Sequence, residues 1–255
     1  MDTRFWGPPG WRLLHLLTFQ YDPATQKLAM RRFLETLPYI LPCKYCRASL
    51  TDYYRELPLT PSVLGSQDAL SKWLYAIHNK VNDKLRSQGL TTTPNPTYAS
   101  VERYYRTWLN DGASPLQAGW DFLFAVAYNH PKEANRNSSP MPECPPRAKT
   151  CKSIRLRNKW NTLPFRPRLH WYKRFWEALP AVLPLADAAA WKDACAKVGC
   201  TLANRRSTLA WLWRLRCTLD AGFQDPYQAV CQRIAAFSSG CGKARKGVTC
   251  RKKRT

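Results

Sequence analysis

The sequence contains no uninterrupted apolar segment of about 20 residues, the length that a membrane-spanning helix requires. Its first six residues, MDTRFW, lack the apolar run of a cleavable signal peptide. The alternating pattern of half-buried strands is weak throughout. These absences argue against a membrane span, predict a soluble product that starts in the cytosol, and favour an all-α class.

Acidic residues are scarce, with 17 Asp and Glu against 40 Lys and Arg. The imbalance is concentrated in the second half of the chain. Residues 1–131 hold 14 basic and 10 acidic side chains, a net charge of +4, whereas residues 132–255 carry a net +19. A positive field of that size favours an acidic partner or nucleic acid. The alternative is a well-solvated basic surface that binds nothing.

Ten cysteines in 255 residues need a chemical explanation. A chain of this length forms one large domain or two small ones without covalent staples, and cytosolic proteins rarely keep structural disulfides. Cys43 and Cys46 form a C-x-x-C motif, which indicates either a redox pair or half of a zinc site. The spacing of Cys144 and Cys151 is a poor match to a second pair of zinc ligands, so the redox interpretation is favoured over zinc.

Apolar periodicity predicts a chain of short helices interrupted by prolines such as Pro38 and Pro42. The predicted helices cover residues 11–19, 28–37, 43–56, 67–85, 98–109, 170–182, 186–198, 207–219 and 226–237. Residues 131–168 are rich in proline, polar and basic residues and are predicted to form a long linker. The tail from residue 238 is basic and contains glycine, which predicts mobility.

The two halves of the chain resemble each other. The segment that begins at Gly10-Trp11 is echoed at Gly119-Trp120, and the motif Leu-Pro-x-x-Leu-Pro ends a predicted helix at residues 37–42 and again at 179–184. Trp73 corresponds in the same way to Trp211. No cysteine pair follows the second motif, and Phe124 and Arg216 stand where the first half has His15 and His78. The pattern predicts a duplicated bundle whose second copy has lost its chemistry.

Two segments of the first half carry the candidate chemistry. Pro42 places Cys43 at the start of a helix, where free N–H groups, the helix dipole and the charges of Lys44 and Arg47 stabilise a thiolate. A lowered thiol pKa suits rapid dithiol–disulfide exchange.

The second segment is His78-Asn79-Lys80-Val81-Asn82, which places an imidazole and two amides on a helix that otherwise faces a core. Buried amides need partners, and a planar polar ligand such as an adenine would provide them. Trp11, Trp73 and Tyr75 offer stacking surfaces for such a ligand.

In combination, these motifs resemble the Erv/ALR family of FAD-linked sulfhydryl oxidases along residues 4–110. The matching pieces are Trp6-Gly7, Trp11-x-x-Leu14-His15, Pro42-Cys43-x-x-Cys46, Trp73 and His78-Asn79-x-Val81-Asn82-x-x-Leu85. The stretch from Gly119 to Pro131, the repeated Leu-Pro motif and the basic cysteine-bearing tail look closest to the versions found in nucleocytoplasmic large DNA viruses. The chain departs from the family at Leu41, where tyrosine is frequent, and at Arg86-Ser87-Gln88, where Gly-Lys-Pro is usual.

The resemblance implies an FAD-binding four-helix bundle with a short fifth helix in residues 1–112. A degenerate helical repeat would follow in residues 113–237, with the linker inside it, and a basic cysteine-bearing tail in residues 238–255. Cys43 would exchange with the substrate, and Cys46 would lie next to the flavin. The positions matched to FAD contacts are Trp6, Gly7, Trp11, His15, Tyr45, Trp73, His78, Asn79, Val81, Asn82, Lys84 and Leu85.

The same resemblance implies a protein dithiol or thioredoxin-like substrate, with oxygen as the electron acceptor and hydrogen peroxide as the product. Cys241 and Cys250 are candidates for a shuttle disulfide in the tail. The chain would act as a homodimer or as an intramolecular pseudo-dimer, in the host cytoplasm or the virion. The alternative function is a basic nucleic-acid-binding or virion scaffold protein whose cysteines are structural or bind zinc.

Overall fold

A computed structural model describes residues 1–131 and 165–238 of the chain. The described residues form ten α-helices and two short 3-10 helices, Val63–Gly65 and Pro180–Val182, with no strand among them. The all-α class is therefore confirmed. No helix in these two ranges has the length and the apolar character needed to cross a membrane. The α-helices are α1 Thr3–Phe19, α2 Pro23–Ile40, α3 Lys44–Glu56, α4 Gln67–Ser87, α5 Tyr98–Asn110, α6 Pro115–Tyr128, α7 Phe165–Ala178, α8 Leu185–Val198, α9 Arg205–Leu219 and α10 Tyr227–Ala236.

Side-chain caps fix where the helices of the first half begin. The carboxylate of Asp2 accepts a hydrogen bond from the backbone N–H of Arg4 at 2.9 Å, and the hydroxyl of Ser66 accepts one from Ala69 at 3.0 Å. Each cap satisfies a backbone donor that has no partner inside its helix. These caps therefore define the first residues of α1 and α4.

Prolines interrupt the helices less than the sequence predicted. Helix α1 begins at Thr3, well before the predicted start at residue 11, and contains Pro8 and Pro9. Helix α2 continues through Pro38. The prediction that Pro38 ends the second helix is therefore wrong. The side chain of Pro38 is buried in the core, and apolar burial offsets the loss of one backbone hydrogen bond.

The predicted linker is also too long at its C-terminal end, because α7 begins at Phe165. Helix α7 buries Tyr172, Phe175 and Trp176, and this aromatic face makes the turns before residue 170 helical as well. The remainder of the linker, including Cys144 and Cys151, and the tail cysteines Cys241 and Cys250 lie outside the described residues.

The two halves of the chain meet along helices that correspond in the repeat. In the first half, α1 packs against α4 and α5, and α3 packs against α2 and α4. In the second half, α9 packs against α6 and α8, and α10 packs against α6. The largest contacts between the halves join α1 to α6 and α2 to α7.

This contact between the halves is reciprocal. A Cβ atom added to Gly10 would lie 3.0 Å from the ring of Phe122, and one added to Gly119 would lie 3.0 Å from Cβ of Leu13. The sequence repeat pairs Gly10 with Gly119 and Leu13 with Phe122. Gly10 therefore faces Phe122, and Gly119 faces Leu13. The repeat makes these two contacts equivalent, which is the pattern of a two-fold interface.

Candidate active site

The C-x-x-C pair lies at the N-terminus of α3, as the sequence predicted. Cys43 is the N-cap residue, and its Sγ accepts a hydrogen bond from the backbone N–H of Cys46 at 3.3 Å. Cys43 is almost fully buried, at 1% exposure, whereas Cys46 is half-buried. Pro42 precedes the cap and starts the helix abruptly, so both sulfurs sit at the positive end of the helix dipole.

The two thiols differ in acidity. Burial alone would raise the pKa of Cys43, but hydrogen bonds from the thiol and backbone of Cys46, with the positive charges of the Met1 amino group and Arg47, lower it to about 7. The hydrogen bond to Cys43 raises the pKa of Cys46, and burial adds to the effect. The pair is therefore built to hold one thiolate, on Cys43, supported by the thiol of Cys46.

A cavity of about 490 Å³ lies beside the cysteines and is lined mainly by α1, α3 and α4. This volume is within the range of sites that bind cofactor-sized ligands. Eleven of the fourteen predicted catalytic and cofactor residues line it. They are Trp6, Gly7, Trp11, Cys43, Tyr45, Cys46, His78, Val81, Asn82, Lys84 and Leu85.

The other three predicted residues lie behind the wall of the cavity. The ring of His15 is buried, and its Nε2 lies 3.0 Å from Nδ1 of His78. The indole of Trp73 donates to the carbonyl of Leu57 at 2.9 Å and so supports the end of α3. Asn79 is half-buried on α4 and does not line the cavity.

Aromatic rings form one side of the site. Trp11 stacks on His78, with ring centroids 3.8 Å apart and an interplanar angle of 11°. Tyr105 stacks on His15 at 4.7 Å. Burial lowers the pKa of His78 to about 4, and burial together with His78 lowers that of His15 to about 3. Both imidazoles are neutral near pH 7, so one N–H is shared between them.

The residues present fit an FAD. The indole Nε1 of Trp6 and the Nδ1 of His15 are buried without a hydrogen-bond partner among the described residues, and Trp6 faces the cavity. Buried polar atoms of this kind normally have a partner. Lys84 and Arg12 add positive charge to the cavity lining, which suits the diphosphate of a dinucleotide, and the aromatic rings suit its planar groups.

Several lining residues were missed in the sequence analysis. Tyr53 follows Cys46 on α3, Gln88 ends α4, Tyr105 comes from α5, and Phe122 comes from α6 in the second half. Tyr53 could have been predicted from the sequence, because it lies seven positions, or two helical turns, after Cys46 on the same helix face. No sequence spacing predicts the positions of Tyr105 and Phe122, because they depend on how distant helices pack.

The remaining described cysteines lie in the second half. Cys195, Cys200, Cys217 and Cys231 are free thiols. Burial raises the pKa of Cys195 to about 11. Within residues 1–131 and 165–238, no group of three or more His, Cys, Asp or Glu side chains is arranged to hold a metal ion.

The fold and the site together define an all-α bundle that carries a C-x-x-C dithiol at the edge of a cofactor-sized cavity. The Erv1 / Alr family model matches residues 9–105. A probable FAD-linked sulfhydryl oxidase of Acanthamoeba polyphaga mimivirus is 38% identical over 85 residues, 32% of this chain and 59% of that protein. The mitochondrial FAD-linked sulfhydryl oxidase of Saccharomyces cerevisiae is 38% identical over 88 residues, 33% of this chain and 45% of that protein.

An FAD-linked sulfhydryl oxidase of African swine fever virus is 31% identical over 86 residues, 32% of this chain and 70% of that protein. The chain belongs to the Erv1 / Alr family. It spans about half the length of the mimivirus and yeast relatives. No solved structure matches the chain significantly.

Proposed function

We propose that this chain is an FAD-dependent sulfhydryl oxidase that forms disulfides in protein substrates and reduces oxygen to hydrogen peroxide. The observation that carries the proposal is the shared cavity: Cys46, on the first turn of α3, lines the same space as the stacked rings of Trp11 and His78. A dithiol thus adjoins a site that suits a flavin dinucleotide. The names of the relatives support the same activity.

In the proposed reaction, the thiols of a protein dithiol or thioredoxin-like substrate reduce the Cys43–Cys46 disulfide. The helix N-terminus and nearby positive charges stabilise the thiolate that this exchange releases. Bound FAD would supply a two-electron acceptor, with oxygen as the final electron acceptor. Because Cys43 is 1% exposed, exchange with a protein thiol requires local opening around α3. Trp11, His78, Asn82 and Lys84 would hold the cofactor.

We propose further that residues 1–112 form the catalytic bundle and residues 113–237 a degenerate copy without a cofactor. In the second half, Trp120 and Arg216 occupy the repeat positions that correspond to the cavity residues Trp11 and His78. Trp120 packs on Trp191 at 6.5 Å, and Arg216 lies 5.5 Å above Trp120, at the position that corresponds to His78. The two halves would then form a pseudo-dimer within one chain.

Replacing the active cysteines tests the proposed activity. Cys43→Ser and Cys46→Ser are each expected to reduce oxygen consumption with dithiothreitol to the background rate, because the exchange requires both sulfurs. An oxygen electrode measures the rate, and circular dichroism checks the fold. Cys217→Ser on α9 is the matched control and retains the parental rate. Turnover near the parental rate in either active-site variant rules out the mechanism.

A further inference from the structure

Arg47 lies beside the C-x-x-C pair, and Arg168, from the other half of the chain, lies close enough to Arg47 to interact with it. Arg47 is buried on α3, and its Nη1 donates to the carbonyl of Leu41 at 2.6 Å. Its backbone N–H donates to the carbonyl of Cys43 at 3.0 Å. Burial and the charge of Arg168 lower the pKa of Arg47 to about 10, and Cys43 and Cys46 oppose that shift. Arg47 therefore interacts both with Arg168 and with the two cysteines.

Packing between the halves brings Arg168 to this position. Helix α7 lies against α2, and the ring of Trp171 stacks on Tyr39, with centroids 4.2 Å apart and an angle of 10°. Tyr39 precedes Leu41 by two residues. Arg168 lies three positions before Trp171 on the same helical face, so it is directed toward the segment that connects α2 to the cysteines. Arg168 is itself half-buried.

Neither arginine forms an ion pair with a carboxylate in the described parts of the chain. A buried cation is costly unless an anion or several hydrogen bonds compensate for its lost hydration. Here two cations also repel each other. The charged or titratable groups that interact with the cysteines are the Met1 amino group, Arg47, Tyr53 and Lys84, while Asp2 interacts with the Met1 amino group. Asp2 forms an ion pair with Arg4, which leaves sulfur as the anion available to the arginines.

We infer that Arg47 and Arg168 are positioning residues that stabilise the thiolate form of the reduced Cys43–Cys46 pair and thereby make its disulfide a stronger oxidant. The second half of the chain thus contributes one of the two charges. A dithiol whose reduced form is stabilised has a higher reduction potential. This inference deepens the proposed function and rests on it for the direction of electron flow.

The exchange balances as follows. The two thiols of the substrate lose two electrons and two protons and form a disulfide. The Cys43–Cys46 bond breaks as each of its sulfurs takes up one of the two electrons. Cys43 remains a thiolate, and Cys46 takes up one proton. The second proton goes to solvent. The arginines act only on the charge that appears on sulfur, so they shift the equilibrium without taking part in a bond.

The test measures the equilibrium between disulfide and dithiol in the full-length protein with its cofactor. Samples are equilibrated with dithiothreitol redox buffers, alkylated, and read by mass spectrometry on the peptide that contains both cysteines. Arg47→Met is expected to shift the equilibrium at least tenfold toward the disulfide, about 30 mV for a two-electron couple. Arg168→Met is expected to shift it in the same direction by a smaller amount, because the cysteines interact directly with Arg47, and Arg168 lies next to Arg47.

Two variants serve as controls. Arg47→Lys keeps the positive charge and is expected to keep the potential near that of the parent. Arg166→Met removes an exposed charge from the same turn of α7 and is expected to leave the equilibrium within twofold. A second readout is the rate of Cys43 alkylation as a function of pH in a Cys46→Ser background. The midpoint of this curve is expected to move to higher pH when either Arg47 or Arg168 is replaced by Met.

An equilibrium within twofold of the parent in both Arg47→Met and Arg168→Met overturns the inference. If Arg47→Met does not fold, Arg168→Met alone decides, because that side chain is only partly buried. Failure of the proposed function is distinguishable from failure of the inference. A parent protein that shows the arginine-dependent potential but consumes no oxygen with dithiols contradicts the oxidase proposal and leaves the arginine effect in place.

Discussion

His15 and His78 form a neutral, hydrogen-bonded pair at the edge of the cavity. Their ring nitrogens are 3.0 Å apart, and burial lowers both pKa values, to about 3 and about 4. A protonated imidazole at either position would lose hydration, and two protonated imidazoles would repel each other. The unfolded chain has no such constraint, and its histidines take up protons near their usual pKa of about 6.5.

The pair predicts a loss of stability in mild acid. Because the folded pKa values are depressed, the unfolded state binds more protons as the pH falls from about 6.5 toward 4, and the free energy of unfolding decreases over that window. Each histidine contributes up to about 1.4 kcal/mol per pH unit. Urea denaturation of the FAD-free protein between pH 6.5 and 5 measures the slope.

His15→Phe isolates this effect, since phenylalanine is the residue that the repeat places at the corresponding position, Phe124. The slope of the free energy of unfolding against pH should be smaller in the variant by about 1.4 kcal/mol per pH unit, whatever the absolute stability of the variant. Carboxylates titrate in both proteins and cancel in the comparison. An identical slope in the parent and the variant would show that His15 titrates normally in the folded state.

Much of the candidate site was predictable at the level of residues. The C-x-x-C pair and the His78 segment carry local signals, a helix start and polar residues on a core-facing helix, and the structure brings both to one cavity. Arg168 and Phe122 carried no such signal. Their roles depend on contacts between halves that are far apart in sequence, and local patterns do not encode those contacts.

At the scale of helices, the contact between α1 and α6 depends on two glycines. A Cβ on Gly119 would lie 3.0 Å from Cβ of Leu13 and 3.1 Å from its Cδ2. Leu13 is fully buried, so it has little room to move away. The close approach of the two helices therefore requires a residue without a side chain at this position.

Gly119→Val is expected to destabilise the protein by about 1–3 kcal/mol through overpacking. Leu13→Ala alone should cost about 2–5 kcal/mol, because it leaves a cavity. The loss of stability in the double variant should be smaller than the sum of the two single losses by about 1 kcal/mol or more, since each change relieves the packing defect of the other. Chemical denaturation of the three variants measures this coupling. Additive losses would contradict the described packing.

The helices also show where the sequence argument failed. The boundaries of α3, α4 and α5 were predicted closely, because each begins near a cap or follows a proline. Helix α1 was predicted to start at residue 11, where its apolar periodicity begins, but the helix also contains Pro8 and Pro9, which are local signals against a helix. The burial of Phe5 and Trp6 at its N-terminal end is a tertiary effect that outweighs those signals.

At the scale of the whole molecule, the two halves pack on each other along corresponding helices. The helices α6 and α7 cover the faces of α1 and α2, and Phe33 meets its counterpart Phe175 at 5.5 Å. In the proposed pseudo-dimer, the second half closes the cavity with Phe122 and adds the charge of Arg168. In the second half, Trp191 packs against Trp120 and Trp211. The account therefore requires a single cofactor site per chain.

The content of FAD in the purified protein tests this account most directly. We predict a flavin absorbance spectrum and one FAD per chain, released by denaturation and quantified against protein concentration. The double variant His78→Ala/Asn82→Ala should be poor in flavin, whereas Arg216→Ala, at the position that corresponds to His78, should retain one FAD. A colourless parent protein, or two FAD per chain, would contradict the account.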